Sequence, residues 1–232
     1  MESILKTIIY IDGYNLFYGC LKHSRDKWLD IHKLFFEQIL IPQTPRTKLS
    51  TIKYFTADIK AKVAPRGQRA WIAQQSYLRA LQILYPEKIC IIKGYYSLEK
   101  AKLLAYQQPI DKEQRLDVWK LEEKQTDVNI ALEAYRDASK GNAEQLVFVT
   151  NDSDIAPVLE AIREDFSDML KIGVIFPIRK SVGKGKRRPT NKQLSSLADW
   201  TRRHITDEEL ATSHLPNQVS TRKKPISKPD YW

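Results

Sequence analysis

Residues 145–154 read QLVFVTNDSD, an apolar run that ends on Thr150 and then on two acids, Asp152 and Asp154. An unbroken run of this length is how a strand buried on both faces reads. Residues 7–15, TIIYIDGYN, repeat the arrangement, with Ile8–Ile11 closing on Asp12. Open α/β sheets bind ligands just beyond the carboxyl ends of their parallel strands. Carboxylates gathered at such an edge repel one another unless a cation lies between them. On a chain of formal net charge +10, a divalent metal facing a polyanion is the natural candidate.

Working outward, strand and helix patterns alternate. Helical patterns around Leu16–Leu21 and Ile31–Leu40 follow the first strand, then a loop at QTPRTKLS (43–50) marked by its proline and polar residues. TIKYFTAD (51–58) is a strand ending on Asp58, which is read as structural, and Gln68–Leu84 is a long helix. Lys88–Tyr96 gives a third strand, and Leu116–Leu121 a shorter, half-exposed one. A helix over Thr126–Ala138 is expected to turn Val128, Ala131, Leu132 and Tyr135 to the core. The strand 146–150, a helix over 154–163 and a strand Lys171–Phe176 complete the series. Repeated βα units imply a mostly parallel sheet covered on both faces.

Past Phe176 the character changes. Residues 179–192 carry seven cations, two glycines and no acid, and a short helical piece, QLSSLADW, follows. From about Thr206 the chain is polar. The expected division is one domain over 1–204, including the basic loop 179–192, and a flexible basic tail over 205–232.

The chain has 232 residues, 42% of them hydrophobic and only 8 glycine, enough to bury a substantial core. No apolar run approaches membrane-spanning length and the N-terminus lacks a signal-peptide cleavage region, so a cytoplasmic protein without membrane contact is expected. Cys20 and Cys90 match no metal spacing and are expected to be two buried thiols; the four histidines are dispersed, which argues against zinc. The excess of Lys and Arg (38) over Asp and Glu (28) favours a polyanionic partner.

Asp12, Asp127, Asp152 and Asp154 form the candidate constellation. Asp12 and Asp152 follow strands, Asp154 enters the next helix, and Asp127 opens the helix after Thr126. Oxygen-only donors suit Mg²⁺, which keeps several waters and relies on a few carboxylates plus substrate phosphate. Read singly, each acid also suits a helix cap or a turn. The case for a site is their coincidence at strand ends. Glu133, six residues past Asp127 and about 120° around an ideal helix, is a supporting candidate and a poor direct ligand.

Three segments resemble NYN domains, particularly their bacterial LabA-like branch within the PIN-like nuclease superfamily: IDGYNLFYG (11–19), EKQTDVNIALEAYRDA (123–138) and LVFVTNDSDIAPVLEAIRE (146–164). The resemblance covers roughly residues 5–200. It implies a PIN-like three-layer α/β/α sandwich with a mostly parallel central sheet and an acidic pocket for Mg²⁺ or Mn²⁺ that serves RNA cleavage. Carried over, the pocket maps to Asp12, Asp127, Asp152 and Asp154, with Asn15 in the motif's Asn position. Thr150 and Ser153 frame the last acids, and Glu133 falls where relatives often carry a second acid. Asn151 departs from the small residue common at its position.

Expected RNA contacts are Lys124, Arg66, Arg69 and the basic loop with Lys184, Lys186, Arg187 and Arg188, plus Tyr14 for stacking. The reading is a metal-dependent endoribonuclease, with DNA as a second substrate and a homo-oligomer compatible with it. The alternatives are a non-catalytic RNA-binding NYN module and a flap-type DNA nuclease.

Overall fold

The computed structural model describes residues 4–167, 169–180 and 188–232. The chain order is β1 (Leu5–Asp12), α1 (Gly13–Leu16) running on as a π-helical stretch Phe17–Leu21, a second π-helical stretch Lys33–Leu40 leading into α2 (Ile41–Gln43), β2 (Thr47–Ala57), α3 (Gly67–Leu84), β3 (Ile89–Leu104) and β4 (Arg115–Lys124). Then come α4 (Thr126–Ser139), β5 (Gln145–Val149), a 3₁₀ turn Ser153–Ile155, α5 (Ala156–Phe166), β6 (Lys171–Ile175), α6 (Lys192–Leu197) and β7 (Trp200–Arg202). The last elements are α7 (Asp207–Thr212), β8 (Gln218–Val219) and β9 (Ile226–Ser227).

Seven strands form one sheet in the order β4-β3-β2-β1-β5-β6-β7. Every neighbouring pair is parallel except β3 and β4, which pair antiparallel from Tyr95 opposite Lys124 to Leu104 opposite Arg115. Strand alternation sorts the core into two layers. Ile9 and Ile11 of β1 join a cluster with Trp28, Phe35, Tyr77 and Leu81, whereas Ile8 and Tyr10 join one with Ile130, Phe148, Leu159 and Phe176. Helices thus cover both faces, as parallel sheets require, in the PIN-like arrangement. Asp12 continues the Ile8–Tyr10 row and falls on the side of α4 and α5.

Several local expectations are corrected. The loop read over 43–50 gives way at Thr47 to β2, because Leu49 turns inward to the core on strand spacing. The strand read over 88–96 runs on to Leu104 as one arm of a β3–β4 hairpin that projects past the parallel sheet. The strand read over Leu116–Leu121 likewise extends to Arg115–Lys124, the many charges of the hairpin having masked its length. Helix α4 buries Ile130, Ala134, Asp137 and Ala138 and leaves Val128, Leu132 and Tyr135 exposed. Its buried face carries small residues because it lies close on the sheet, so hydrophobicity pointed to the wrong side. Cys20 is buried but Cys90 is exposed.

The composition of 205–232 suggests a flexible tail, yet Leu210, Leu215, Val219 and Ile226 are buried in the main core. Trp232 meets Trp28 and Tyr77 with ring centroids 6.3 and 5.9 Å away. A Thr206 capping box, reciprocated by Glu209, starts α7. A handful of well-spaced apolar anchors suffices where a preformed surface receives them. No helix among the described residues is long and apolar enough to cross a membrane.

Candidate metal centre

The site lies at the carboxyl end of β1 and β5, on the α4 side. Asp12 is the last residue of β1 and only 2% exposed. Its Oδ1 accepts from the Asn15 backbone N–H at 2.9 Å, and its Oδ2 accepts from Asn15 Nδ2 at 2.7 Å and Thr150 Oγ1 at 3.0 Å. The Asp12–Asn15 bonds close the first turn of α1, so D-x-x-N spacing works as an N-cap that also aims the carboxylate. Gly13 is needed there, since a Cβ would lie 2.5 Å from the Phe55 carbonyl oxygen.

Asp152 follows β5 by three residues. Its N–H donates to Thr150 Oγ1 at 3.1 Å and its Oδ1 accepts from the Asp154 N–H at 3.1 Å. Thr150 thereby ties the two strand ends together. Asp127 sits in the first turn of α4, which begins after Gln125 in a left-handed conformation (φ 74°). Gly94 of β3 makes this corner fit, because a Cβ there would lie 2.4 Å from the Lys124 carbonyl oxygen and 2.7 Å from Thr126 Oγ1.

One oxygen from each of Asp12, Asp127 and Asp152 lies within 4.8 Å of the others. Asp154 is exposed and its carboxylate is not part of this trio, although its charge acts on Asp127. The cavity in front of the trio measures about 280 Å³. Tyr14, Tyr18, Tyr96 and Glu123 also line it.

Electrostatics favour a cation. Burial pushes the Asp12 carboxyl above its usual range, against its three donors and with help from the Asp152 charge. Asp127 is raised to about 6, first by burial and then by the charges of Asp12, Asp152 and Glu123. Glu123 is raised as well, by burial and by Asp12, while the Thr126 hydroxyl opposes this. Carboxylates held together at this cost could hold a hard divalent ion that takes oxygen ligands.

Glu123 was missed in the sequence. The available signal was alternation: Leu121 and Glu123 share a face of β4 opposite Lys124. Lys124 itself pairs with Glu122 at 2.5 Å and is not among the cavity-lining residues. Ser153 opens the 3₁₀ turn behind Asp152. Glu133 instead joins a separate network, taking a bond from Lys53 Nζ at 2.7 Å beside Asp137.

Among the basic candidates, Arg188 reaches the site, its guanidinium donating to Asn15 Oδ1 at 3.2 Å. Asn151 holds that segment in place, donating to the Pro189 carbonyl at 3.1 Å and accepting from the Asn191 N–H at 2.8 Å. Arg179 instead binds Asp26 and Asp207, and Arg66 and Arg69 stack on Tyr231, with Arg69 also on Asp230. Lys184, Lys186 and Arg187 lie outside the described residues. Tyr14 packs against Tyr18 with ring centroids 4.3 Å apart and the ring planes tilted by 35°, at the cavity wall.

The NYN domain family model matches residues 6–175. A 6-hydroxy-3-succinoylpyridine 3-monooxygenase, HspA, of Pseudomonas putida (strain DSM 28022 / S16) is 40% identical over 244 aligned residues, spanning 98% of this chain and 75% of that protein. A Vibrio parahaemolyticus protein of unknown function shares the fold, with a TM-score of 0.52 at 19% identity over 90% of this chain and 98% of that one. On its fold, its strand-end acids and the family match across residues 6–175, the chain belongs to the NYN domain family.

Proposed function

We propose that the protein is a metal-dependent endoribonuclease working at the Asp12–Asp127–Asp152 trio. The observation that carries this is the trio itself: three carboxylate oxygens within 4.8 Å of one another, two of them from acids with raised affinity for protons. Asp12, Asp127 and Asp152 would hold Mg²⁺ or Mn²⁺, with Asp154 at the rim. When bound, such an ion lowers the pKa of a water and offsets charge developing on a phosphodiester.

The chain's own residues set the geometry. Asn15 and Thr150 fix the Asp12 carboxylate, leaving it little rotational freedom. Arg188 brings a planar cation to the pocket beside Asn15, suited to a phosphate oxygen. Tyr14 and Tyr18 offer ring faces to a base next to the reacting phosphate. Water attack on phosphorus in line would leave a 5′-phosphate and a 3′-hydroxyl.

A second reading takes its support from the monooxygenase name of the 40%-identical relative. Insertion of one atom of O₂ into a pyridine, with the other leaving as water, needs two electrons from an external reductant. The oxygen-only donor set favours the hydrolytic reading, since His23, His32, His204 and His214 are not among the residues lining the cavity. The discriminating experiment offers RNA and DNA under Mg²⁺, Mn²⁺ or chelator, and separately follows oxygen uptake with 6-hydroxy-3-succinoylpyridine and a reduced nicotinamide or flavin. Metal-dependent RNA cleavage without oxygen uptake is expected. Substrate-dependent oxygen uptake with no cleavage of either polymer would overturn the proposal.

A further inference from the structure

We propose that the α4-side face of the β3–β4 hairpin is a track for single-stranded RNA leading into the acidic cavity, with Trp119 as its stacking platform. This deepens the nuclease reading and rests on it for the identity of the polymer.

The register of the hairpin decides which side chains share that face. Tyr96 lies opposite Glu123, Leu98 opposite Leu121, and Lys100 opposite Trp119. Since Tyr96, Leu121 and Glu123 line the cavity, alternation carries the same face outward to Trp119 and Lys100 without a break. Further out, Lys102 pairs with Asp117 and Leu104 with Arg115. At about 3.4 Å per residue, the eight steps from Glu123 to Arg115 span roughly 27 Å, room for several nucleotides.

Two observations favour a nucleic acid on this face. Trp119 is 63% exposed although it is the largest apolar side chain on the arm, and Lys100 Nζ stands 6.0 Å from its ring centroid. An exposed indole flanked by cations is a stacking platform that accepts any base. The two faces also differ in charge. On the opposite face, Lys120 and Lys124 both bond Glu122, so their charge is largely spent within the protein. The track face carries Lys100, Lys102 and Arg115 against Asp117 until the cavity is reached. At the cavity, Tyr14 and Tyr18 continue the aromatic surface, with Lys22 Nζ 4.6 Å from the Tyr18 centroid.

The test uses the full chain. Anisotropy of a labelled, unstructured 20-nucleotide RNA and of an RNA duplex is measured in chelator for wild type, Trp119→Ala, Trp119→Phe, Lys100→Ala and Tyr95→Ala. Trp119→Ala is expected to weaken single-strand binding by about 10-fold, within the range of one lost base stack. Trp119→Phe should restore most of it, and Lys100→Ala should weaken it about threefold. Duplex affinity and the opposite-face variant Tyr95→Ala should stay at wild-type values. Manganese-dependent hydrolysis of bis(p-nitrophenyl) phosphate, small enough for the cavity alone, should be unchanged in Trp119→Ala, which also shows that the variant folds.

Wild-type RNA affinity in Trp119→Ala overturns the track and leaves the nuclease reading intact. So does equal weakening on duplex. A fall in oligomeric mass without a change in affinity would make the arm a contact between copies, again overturning it. If wild type hydrolyses neither RNA nor the aryl diester while Trp119→Ala still loses affinity, the track stands and the catalytic reading falls.

Discussion

The decisive residue is Asp127, because its environment turns a chemical claim into a titration. Its carboxyl holds a proton up to about pH 6 in the folded chain but releases it near the usual 3.8 when unfolded. The stability this adds is complete below the lower value and is lost as pH rises through about 6. Above that, the metal-free pocket is a site of repulsion. Asp127→Asn should therefore stabilise the metal-free protein at pH 7.5 by about 1 kcal/mol, discounting for its partial exposure, or a melting shift of a few degrees. Calorimetry in chelator checks this, and Mn²⁺ should reverse the order by raising the wild type more. Mn²⁺ affinity of the wild type should also fall as pH drops below about 6, where protons compete for Asp127. Asn151 makes a second residue-scale prediction. It pins the backbone at Pro189 and Asn191, so Asn151→Gly should free Arg188 and raise the KM for RNA severalfold with little change in metal affinity. The sequence showed Asn151 only as a departure from a small residue; its reason is the path of a segment thirty-eight residues away.

Among elements, β1, α4 and β5 carry both the core and the site, and each was legible to a different depth. The runs Ile8–Ile11 of β1 and Leu146–Val149 of β5 were unmistakable because a strand buried on both faces carries hydrophobic side chains at successive positions rather than alternate ones. The burying face of α4 was misread, since Ala134, Ala138 and the charged Asp137 face inward while Val128 and Leu132 do not. Asp137 is inside because it is fully partnered. It accepts from Tyr10 Oη at 2.6 Å, Lys53 Nζ at 2.5 Å and Asn142 Nδ2 at 2.9 Å, joining α4 to β1 and β2. Burial acts against its charge, and these donors prevail, holding its carboxyl below the usual range. Breaking such a buried pair from one side leaves an uncompensated charge. Lys53→Ala should accordingly cost about 3 kcal/mol in urea unfolding, while Mn²⁺ binding by the folded fraction stays unchanged. An equal loss of metal affinity would tie Glu133 and Asp137 to the site after all. The β3–β4 hairpin was legible only in part: Lys88–Tyr96 and Leu116–Leu121 read as strands, while the charged, solvent-facing residues around them hid the full length of both arms.

For the whole molecule, the order β4-β3-β2-β1-β5-β6-β7 brings together acids that lie 115 and 140 residues apart in sequence, from Asp12 to Asp127 and Asp152. The sequence indicated parallel strands and strand-end acids but not their order, and only the order makes three of the four acids meet. The same scale explains the C-terminal segment, whose few apolar residues seal one face of the sheet. Ending the chain at His204 should expose Trp28, Tyr77 and Leu34, giving a melting temperature lower by at least 10 °C or an insoluble product; a truncated protein melting with the full chain would refute the packing described. At this scale the pocket is where strand order becomes chemistry. Its most direct test is cleavage of a labelled single-stranded RNA in Mn²⁺ by wild type and by Asp152→Asn, with RNA affinity measured alongside. Wild type should cleave, chelator should abolish that cleavage, and the variant should lose at least a hundredfold in rate while retaining RNA binding. Cleavage by Asp152→Asn at the wild-type rate, or by wild type in excess chelator, would contradict metal-dependent catalysis at the pocket.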